Sequence, residues 1–243
     1  MLDEKNYDKI ISNIRAKRSL MNKKISNGIR INIGCGMSPT IGWSNFDNSL
    51  SLRLSRNPLI TSILYRLKLI SSEQLDYIKF CQKNNIRFAN ATKNIPLQDK
   101  SVEVLYSSHM LEHLDKNEAG LFLKEAIRVL QNGGIIRLCL PDLAKCIEEY
   151  NKTKNADVFI ESTYLCSEKP KTFVQRLHMA FIGNRHHLYM YDGKSLSKLL
   201  KDSGFTNVQV LECGKTNIEQ HFPLNLKERQ DESVYVEAYK ELS

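Results

Sequence analysis

At 243 residues, 42% apolar and 26% charged, the chain is long enough for one domain with embellishments. Its 35 Lys and Arg against 27 Asp and Glu give a net charge of +8, which admits nucleic acid, an anionic membrane or a phosphorylated small molecule as partner. No apolar run reaches the roughly 18 residues of a membrane span, Met1-Leu2-Asp3-Glu4-Lys5 lacks a secretory signal's apolar segment, and the six cysteines form no C-x-x-C pair, so the expectation is a cytoplasmic protein with reduced, mostly buried thiols and neither a zinc frame nor disulfides.

Residues 3–25 read as a polar, basic helix with a sparse apolar face of Tyr7, Ile10, Ile11 and Ile14. Residues 1–28 are set apart as an N-terminal helical extension and 29–243 as the main domain. Strands are expected at 30–34 and 44–47. Residues 50–85 form a helical insert in which Leu59, Ile60, Ile63, Leu64 and Leu67 recur at helical spacing. Arg53, Arg56, Arg66 and Lys68 stand there without an acid over 51–70. Three readings of 59–70 stay open: a lid over a pocket, a helix resting on a membrane surface, or an extension of the core.

The third strand is placed at 86–89 and the fourth at 102–106. Asp115-x-x-Glu118 is a capping box opening a helix to about Leu130. Gly133-Gly134 reads as its stop, with Ile135–Pro141 the fifth strand. Residues 142–180 read as helical, within a segment 142–192 that would wall an acceptor pocket. A short helix from Ser195 to Ser203 ends at Gly204, and the last strands are placed at 205–211 and 233–239. Alternating apolar strands and helices imply a mainly parallel sheet with helices on both faces, binding ligands beyond the carboxyl ends of its strands.

The stretch Ile31-Asn32-Ile33-Gly34-Cys35-Gly36 is an apolar strand running into two glycines, with Asp47 at the next strand tip. Glycines there let a ligand approach bare backbone, and an acid at the next tip can accept hydrogen bonds from a ribose diol. The dinucleotide fingerprint is incomplete. Pro39 replaces its third glycine, and Asp47 comes 13 residues after Gly34 where about 20 are usual. No Gly-Lys-Ser/Thr follows either. A cofactor without phosphate, such as S-adenosylmethionine, suits this turn better than a dinucleotide; the alternative is a glycine turn of no special function.

Downstream come Asn90-Ala91, the run Ile95-Pro96-Leu97-Gln98-Asp99-Lys100-Ser101 into Val102–Leu114, Arg128-Val129-Leu130-Gln131-Asn132-Gly133-Gly134, and Ile135–Pro141. With Gly42–Asp47, Tyr189–Asp192 and the ending Glu232–Glu237, the chain from about residue 29 onward resembles the class I S-adenosylmethionine-dependent methyltransferases. It looks most like a bacterial branch met among surface-polysaccharide biosynthesis genes. The resemblance implies a Rossmann-like α/β fold: a seven-stranded, mainly parallel sheet with one antiparallel strand. It implies that Gly34, Cys35 and Gly36 line the methionine and ribose, that Asp47 holds the ribose hydroxyls, and that Ala91 contacts the adenine through backbone. Asn90 stands where the family usually has Asp, and its carbonyl can accept from the adenine amino group. Ser107 and Ser108, at the fourth strand tip, would face the reacting methyl.

For a hydroxyl acceptor the protein must also supply a base, and histidine titrates in the right range. His109, His113 and His187 are the catalytic candidates. His109-Met110-Leu111-Glu112-His113 matches an inverted zinc-protease signature; it could also form a metal site of His109, Glu112 and His113; or it is structural, with Glu112 paired to Arg128 or Arg137. No metal is expected. Arg185-His186-His187-x-Tyr189 reads as either an acceptor site or a stapled loop, with Arg185 suited to an anionic group and His186 and Tyr189 beside it. Asp142 is either an acceptor contact or a helix cap.

The leading expectation is O-methylation of an anionic sugar or phosphate-bearing small molecule in capsule or surface-glycan synthesis. Peripheral membrane contact stays open and no nucleic-acid partner is expected. The rivals are RNA methylation, suggested by eight Lys/Arg against three acids in residues 1–30, and a non-catalytic scaffold for glycan assembly. Against RNA, Ser107-Ser108-His109 is not the Asp/Asn-Pro-Pro-aromatic signature of enzymes that methylate planar amines.

Overall fold

In the computed structural model, which describes residues 28–166 and 186–242, short apolar strands alternate with amphipathic helices as the hydropathy pattern requires. The helix expected over 3–25, residues 167–180 of the expected helical segment, and Arg185 lie outside the described residues. The strands are β1 (Ile29–Ile33), β2 (Ser44–Asp47), β3 (Arg87–Phe88), β4 (Val102–Ser108), β5 (Leu130–Pro141), β6 (Phe205–Leu211) and β7 (Ser233–Lys240). They form one sheet in the order β3-β2-β1-β4-β5-β7-β6. β7 runs antiparallel to both its neighbours and the other pairings are parallel. This is the Rossmann-like class I methyltransferase arrangement. The strand order reverses between β1 and β4, so their carboxyl ends open a crevice.

The helices are α1 (Leu50–Ser55), α2 (Pro58–Arg66), α3 (Ser72–Lys83), α4 (Lys116–Val129), α5 (Leu143–Thr153), α6 (Ala156–Thr163) and α7 (Gly193–Asp202). α4 begins at the expected capping box: Asp115 Oδ1 accepts from Glu118 N at 2.8 Å and Glu118 Oε2 accepts from Asp115 N at 3.2 Å. Phe122, Leu123 and Ala126 of α4 and Leu196 and Leu200 of α7 pack on Ile31, Leu105, Ile136 and Leu138, all buried. The opposite face differs toward β7. There Val104, Tyr106, Cys139 and Tyr235 are covered by Ile218 and Leu224 from the non-helical stretch 212–232.

That stretch is pinned through a buried ion pair. Arg137 and Glu237 sit opposite each other across β5 and β7, 2.7 Å apart and at most 1% exposed. Glu237 also accepts from Thr216 Oγ1 and Asn217 N, and Arg137 donates to Lys215 O. Arg128 is engaged by Glu125 and Asp99. The expected pairing of Glu112 with Arg128 or Arg137 is therefore wrong, because both guanidiniums are spent elsewhere.

Gly133-Gly134 does not stop the helix. α4 ends at Val129 and β5 begins at once. The glycines form a bulge inside β5, between Leu130 paired to Val102 and Ile135 paired to Val104. Gly133 adopts φ +75°, and a Cβ on Gly134 would lie 2.9–3.1 Å from three backbone oxygens of Gln131, Glu103 and Val102. The pair is there for close backbone approach.

The insert resolves into α1, α2 and α3. α2 buries only Thr61 and leaves Leu59, Ile60 and Ile63 exposed, as are Leu67 and Leu69 just after it. All six cysteines are free thiols; Cys35, Cys81 and Cys139 are buried and Cys166 and Cys213 exposed, so half, not most, are interior. Among the described residues no helix is long and apolar enough to cross a membrane.

Candidate active site

A cleft of about 560 Å³ opens at the carboxyl ends of β1, β2 and β3. Gly34, Gly36, Asp47, Asn90, Ala91, His109 and His113 line it, so the structure brings together seven of the residues singled out in the sequence. Asn48, Ser49, Ala89 and Thr92 also line it and carried no sequence signal of their own.

The two glycines do different work. Both have positive φ, +71° at Gly34 and +48° at Gly36. A Cβ on Gly34 would lie 2.6 Å from Met110 Cγ, whereas one on Gly36 would meet nothing within 4 Å. Gly34 therefore makes room for a side chain of this protein, and Gly36 presents its bare surface to open space. Asp47 Oδ2 accepts from Gly36 N at 3.1 Å and Oδ1 from Ser49 N at 2.7 Å. A carboxylate has about four lone-pair sites, so Asp47 is held in place by two amides with capacity for two hydroxyls. The open face at Gly36 and this aimed carboxylate fit the ribose of an adenosyl cofactor.

Asn90 is less free than its sequence position suggests. Its Oδ1 accepts from Thr92 N at 3.1 Å and Thr92 Oγ1 at 2.8 Å, a local turn that uses both carbonyl lone pairs. It can offer its amide N–H groups to an adenine ring, and not the acceptor anticipated for the amino group.

Three expected cofactor residues are absent from the cleft wall. Cys35 points into a cluster with Leu52, Cys81 and Ile86, and burial pushes its thiol pKa up. Ser107 is fully buried, and its hydroxyl donates to Ile33 O at 2.9 Å, tying β4 to β1. Ser108 lies on the other face of the sheet, beside Tyr106 and Cys139.

At the tip of β4 the chain turns through His109, at φ +48°, into a short 3-10 turn, Leu111–His113. His109 Nδ1 lies 3.1 Å from Arg229 Nη1 and Nε2 2.9 Å from Ser233 Oγ. A guanidinium can only donate, so Nδ1 is the acceptor and Nε2–H the donor. Burial, helped by the Arg229 charge, pushes the His109 pKa down to about 3. Both nitrogens are occupied and the ring is a poor proton acceptor, which weighs against His109 as the base.

Glu112 is wholly buried, and burial pushes its pKa up to about 8. Its main-chain carbonyl accepts from Leu188 N at 2.7 Å and Tyr189 N at 3.2 Å, anchoring the returning 186–191 strip. That strip brings His187 Nε2 to 4.0 Å from Glu112 Oε1 and sets the His187 and His113 rings edge to face at 5.2 Å. His113 Nδ1 lies 3.1 Å from His186 O and His187 Nδ1 2.8 Å from Thr163 O. Carbonyls only accept, so each Nδ1 carries the proton and each Nε2 the lone pair in the neutral ring. Burial lowers the pKa of both imidazoles.

Tyr189 packs on Tyr191 with centroids 4.8 Å apart, and Lys116 Nζ stands 4.9 Å above its ring. Asp142 is the N-cap of α5, its Oδ1 accepting from Ala144 N at 3.0 Å. Neither Asp142, His186, His187 nor Tyr189 lines the cleft itself.

A family profile described as a methyltransferase domain matches residues 69–138. The matched stretch includes Asn90, Ala91, His109 and His113 and stops short of Gly34, Gly36 and Asp47. No curated protein matches the chain. Similar solved structures include a SAM-dependent methyltransferase from Methanosarcina mazei, at 17% identity and TM-score 0.49 over 92% of this chain and 98% of that one. Another, from Thermotoga maritima, is described as a SAM-dependent, possible histamine N-methyltransferase, at 16% identity and TM-score 0.45 over 91% and 86%. A third is phosphoethanolamine N-methyltransferase 2 of Haemonchus contortus, in complex with phosphomonomethylethanolamine and S-adenosylhomocysteine, at 12% identity and TM-score 0.43 over 88% and 49%.

Proposed function

We propose that this S-adenosylmethionine-dependent methyltransferase alkylates a hydroxyl of a small carbohydrate or phosphate-bearing acceptor in bacterial surface-glycan synthesis. The observation that carries oxygen as the target is the cluster of Glu112, His113 and His187 abutting the donor cleft. A hydroxyl nucleophile needs a proton acceptor, and His113 and His187 each hold Nδ1–H on a backbone carbonyl and keep a lone pair at Nε2. The glycan class is supported by the resemblance of the sequence and by the basic character of the chain.

When bound, S-adenosylmethionine supplies a methyl group already activated on a sulfonium. The chain's own contribution is placement. Asp47 holds the ribose hydroxyls with its two remaining acceptor sites, Asn90 and the Ala91 backbone meet the adenine, and Gly36 lets the cofactor close on main chain. Holding the partners in line contributes on the order of 7–11 kcal/mol in favourable cases. His113, which lines the cleft, receives the acceptor's proton at Nε2 while its Nδ1–H stays on His186 O. Tyr189 and His186 frame the acceptor side.

The exposed apolar face of α2, flanked by Arg53, Arg56, Arg66 and Lys68, supports a membrane-associated acceptor. The test is transfer of labelled methyl from the cofactor into fractionated extracts. Label entering capsule or nucleotide-sugar pools, and released with the glycan, is the expected result. Label in RNA, or no S-adenosylhomocysteine binding at all, would replace this reading with one of its rivals.

A further inference from the structure

We propose that Glu112, His113 and His187 bind one divalent transition-metal cation beside the donor cleft. The first argument is an unmet need. Glu112 is wholly buried, and among the described residues neither of its carboxylate oxygens has a hydrogen-bond partner. A buried carboxylate without a partner is costly and calls for a proton or a cation. Among the described residues no Lys or Arg is bonded to it, and His109 Nδ1, 3.4 Å from Glu112 Oε1, accepts from Arg229 and so has no proton to give. Arg128 and Arg137 are held by other acids, and Arg229 Nη1 is turned to His109 Nδ1 and Glu232.

The second argument is convergence. One ligand atom from each of Glu112, His113 and His187 lies within 4.8 Å of the other two. Metal bonds of about 2.0–2.2 Å put tetrahedral ligands about 3.4 Å apart, so side-chain adjustments near 1 Å close the set. The third is tautomer control. Both imidazoles give Nδ1–H to a backbone carbonyl, His113 to His186 and His187 to Thr163. That leaves Nε2 as the lone-pair nitrogen of each ring, the outer hydrogen bonding that metal-ligating histidines commonly show. His109 Nδ1 lies 3.4 Å from Glu112 Oε1 but is outside the set, because Arg229 and Ser233 occupy both its nitrogens.

Two imidazoles and one carboxylate favour zinc, iron(II) or manganese(II) over magnesium or calcium, which take oxygen ligands. Three protein ligands leave a coordination position for an exogenous oxygen. The site stands by itself; its role toward an acceptor rests on the methyl-transfer reading above. In that role the cation replaces His113 as activator. The coordinated hydroxyl becomes more acidic and releases its proton to solvent. The oxygen then bonds the methyl carbon as the carbon–sulfur bond breaks, its electron pair leaving on sulfur as a neutral thioether.

The test uses full-length protein stripped with a chelator and titrated calorimetrically with Zn²⁺, Mn²⁺ and Mg²⁺, in parallel with S-adenosylhomocysteine. About one equivalent of Zn²⁺ or Mn²⁺ should bind, with Mg²⁺ much weaker. Glu112→Gln and His187→Ala should each weaken the binding at least tenfold while retaining S-adenosylhomocysteine binding, which reports an intact fold. If Glu112→Gln does not fold, His187→Ala carries the same comparison. Uptake below about 0.1 equivalent, or unchanged affinity in His187→Ala, overturns the site. Metal binding without S-adenosylhomocysteine binding in the wild type would sustain the site and defeat the methyl-transfer reading instead.

Discussion

Replacing Asp47 by Ala separates the scaffold role of that carboxylate from its ligand role. In the structure Asp47 ties the glycine turn to the start of α1, through Gly36 N at 3.1 Å and Ser49 N at 2.7 Å. Both amides are only part-buried, so water can partly replace the lost partners, and the stability cost should be about 1–2 kcal/mol. The two acceptor sites not used by backbone are those available to the ribose hydroxyls. Their loss should weaken S-adenosylhomocysteine binding by about 1–3 kcal/mol, roughly 5- to 150-fold in Kd. Asp47→Asn is the sharper companion. It keeps one oxygen for one amide but sets an NH2 donor against the other, so it should bind nearly as poorly as the alanine variant. Titration calorimetry gives the affinities and thermal melting the stability. An Asp47→Ala protein that melts within a degree or two of wild type and binds the ligand within twofold would refute the placement of ribose at this carboxylate.

Gly34→Ala should destabilise by about 2–4 kcal/mol, from a positive φ and a Cβ 2.6 Å from Met110 Cγ; adding Met110→Ala should recover the packing part, read as non-additive urea midpoints. Arg137→Met should cost about 3–5 kcal/mol by leaving Glu237 buried without its cation, and Arg137→Met with Glu237→Leu should cost less than the single change in the same denaturation assay. Equal or greater loss in the double variant would mean that the hydrogen bonds to Thr216, Asn217 and Lys215, not the uncompensated charge, dominate there.

What the sequence disclosed was what short-range pattern can encode. The apolar runs of β1 and β4, the Asp115–Glu118 box and the Gly34–Gly36 turn are each set within a few residues, and each appears where the pattern put it. Gly133-Gly134 misled because a helix stop and a strand bulge ask for the same backbone freedom; only the register of β4 against β5 distinguishes them. Asn90 misled because Thr92, two residues on, claims its carbonyl. His109 is buried against Arg229, 120 positions away, and Glu112 is approached by His187, 75 positions away. No local periodicity carries such pairings; they follow from the order in which strands and returning loops assemble.

That assembly also explains why donor cleft and polar cluster meet at one place. His109 leaves β4 in a left-handed conformation, which turns the next residues back over the sheet edge. Met110 then fills the space that Gly34 vacates, on the donor side. Two residues later the Glu112 carbonyl takes the amides of Leu188 and Tyr189, beside the His113–His187 pair. His113 borders both, lining the cleft while its ring meets His187. Residues 109–113 are therefore the link between the cleft and the polar cluster of Glu112, His113 and His187. Their geometry is fixed from one side by a glycine and from the other by a backbone pair seventy-odd residues downstream. For the methyl transfer proposed above, a segment so constrained would set the His113 imidazole at the edge of the donor cleft, and placement of this kind is what such a reaction chiefly requires of its protein.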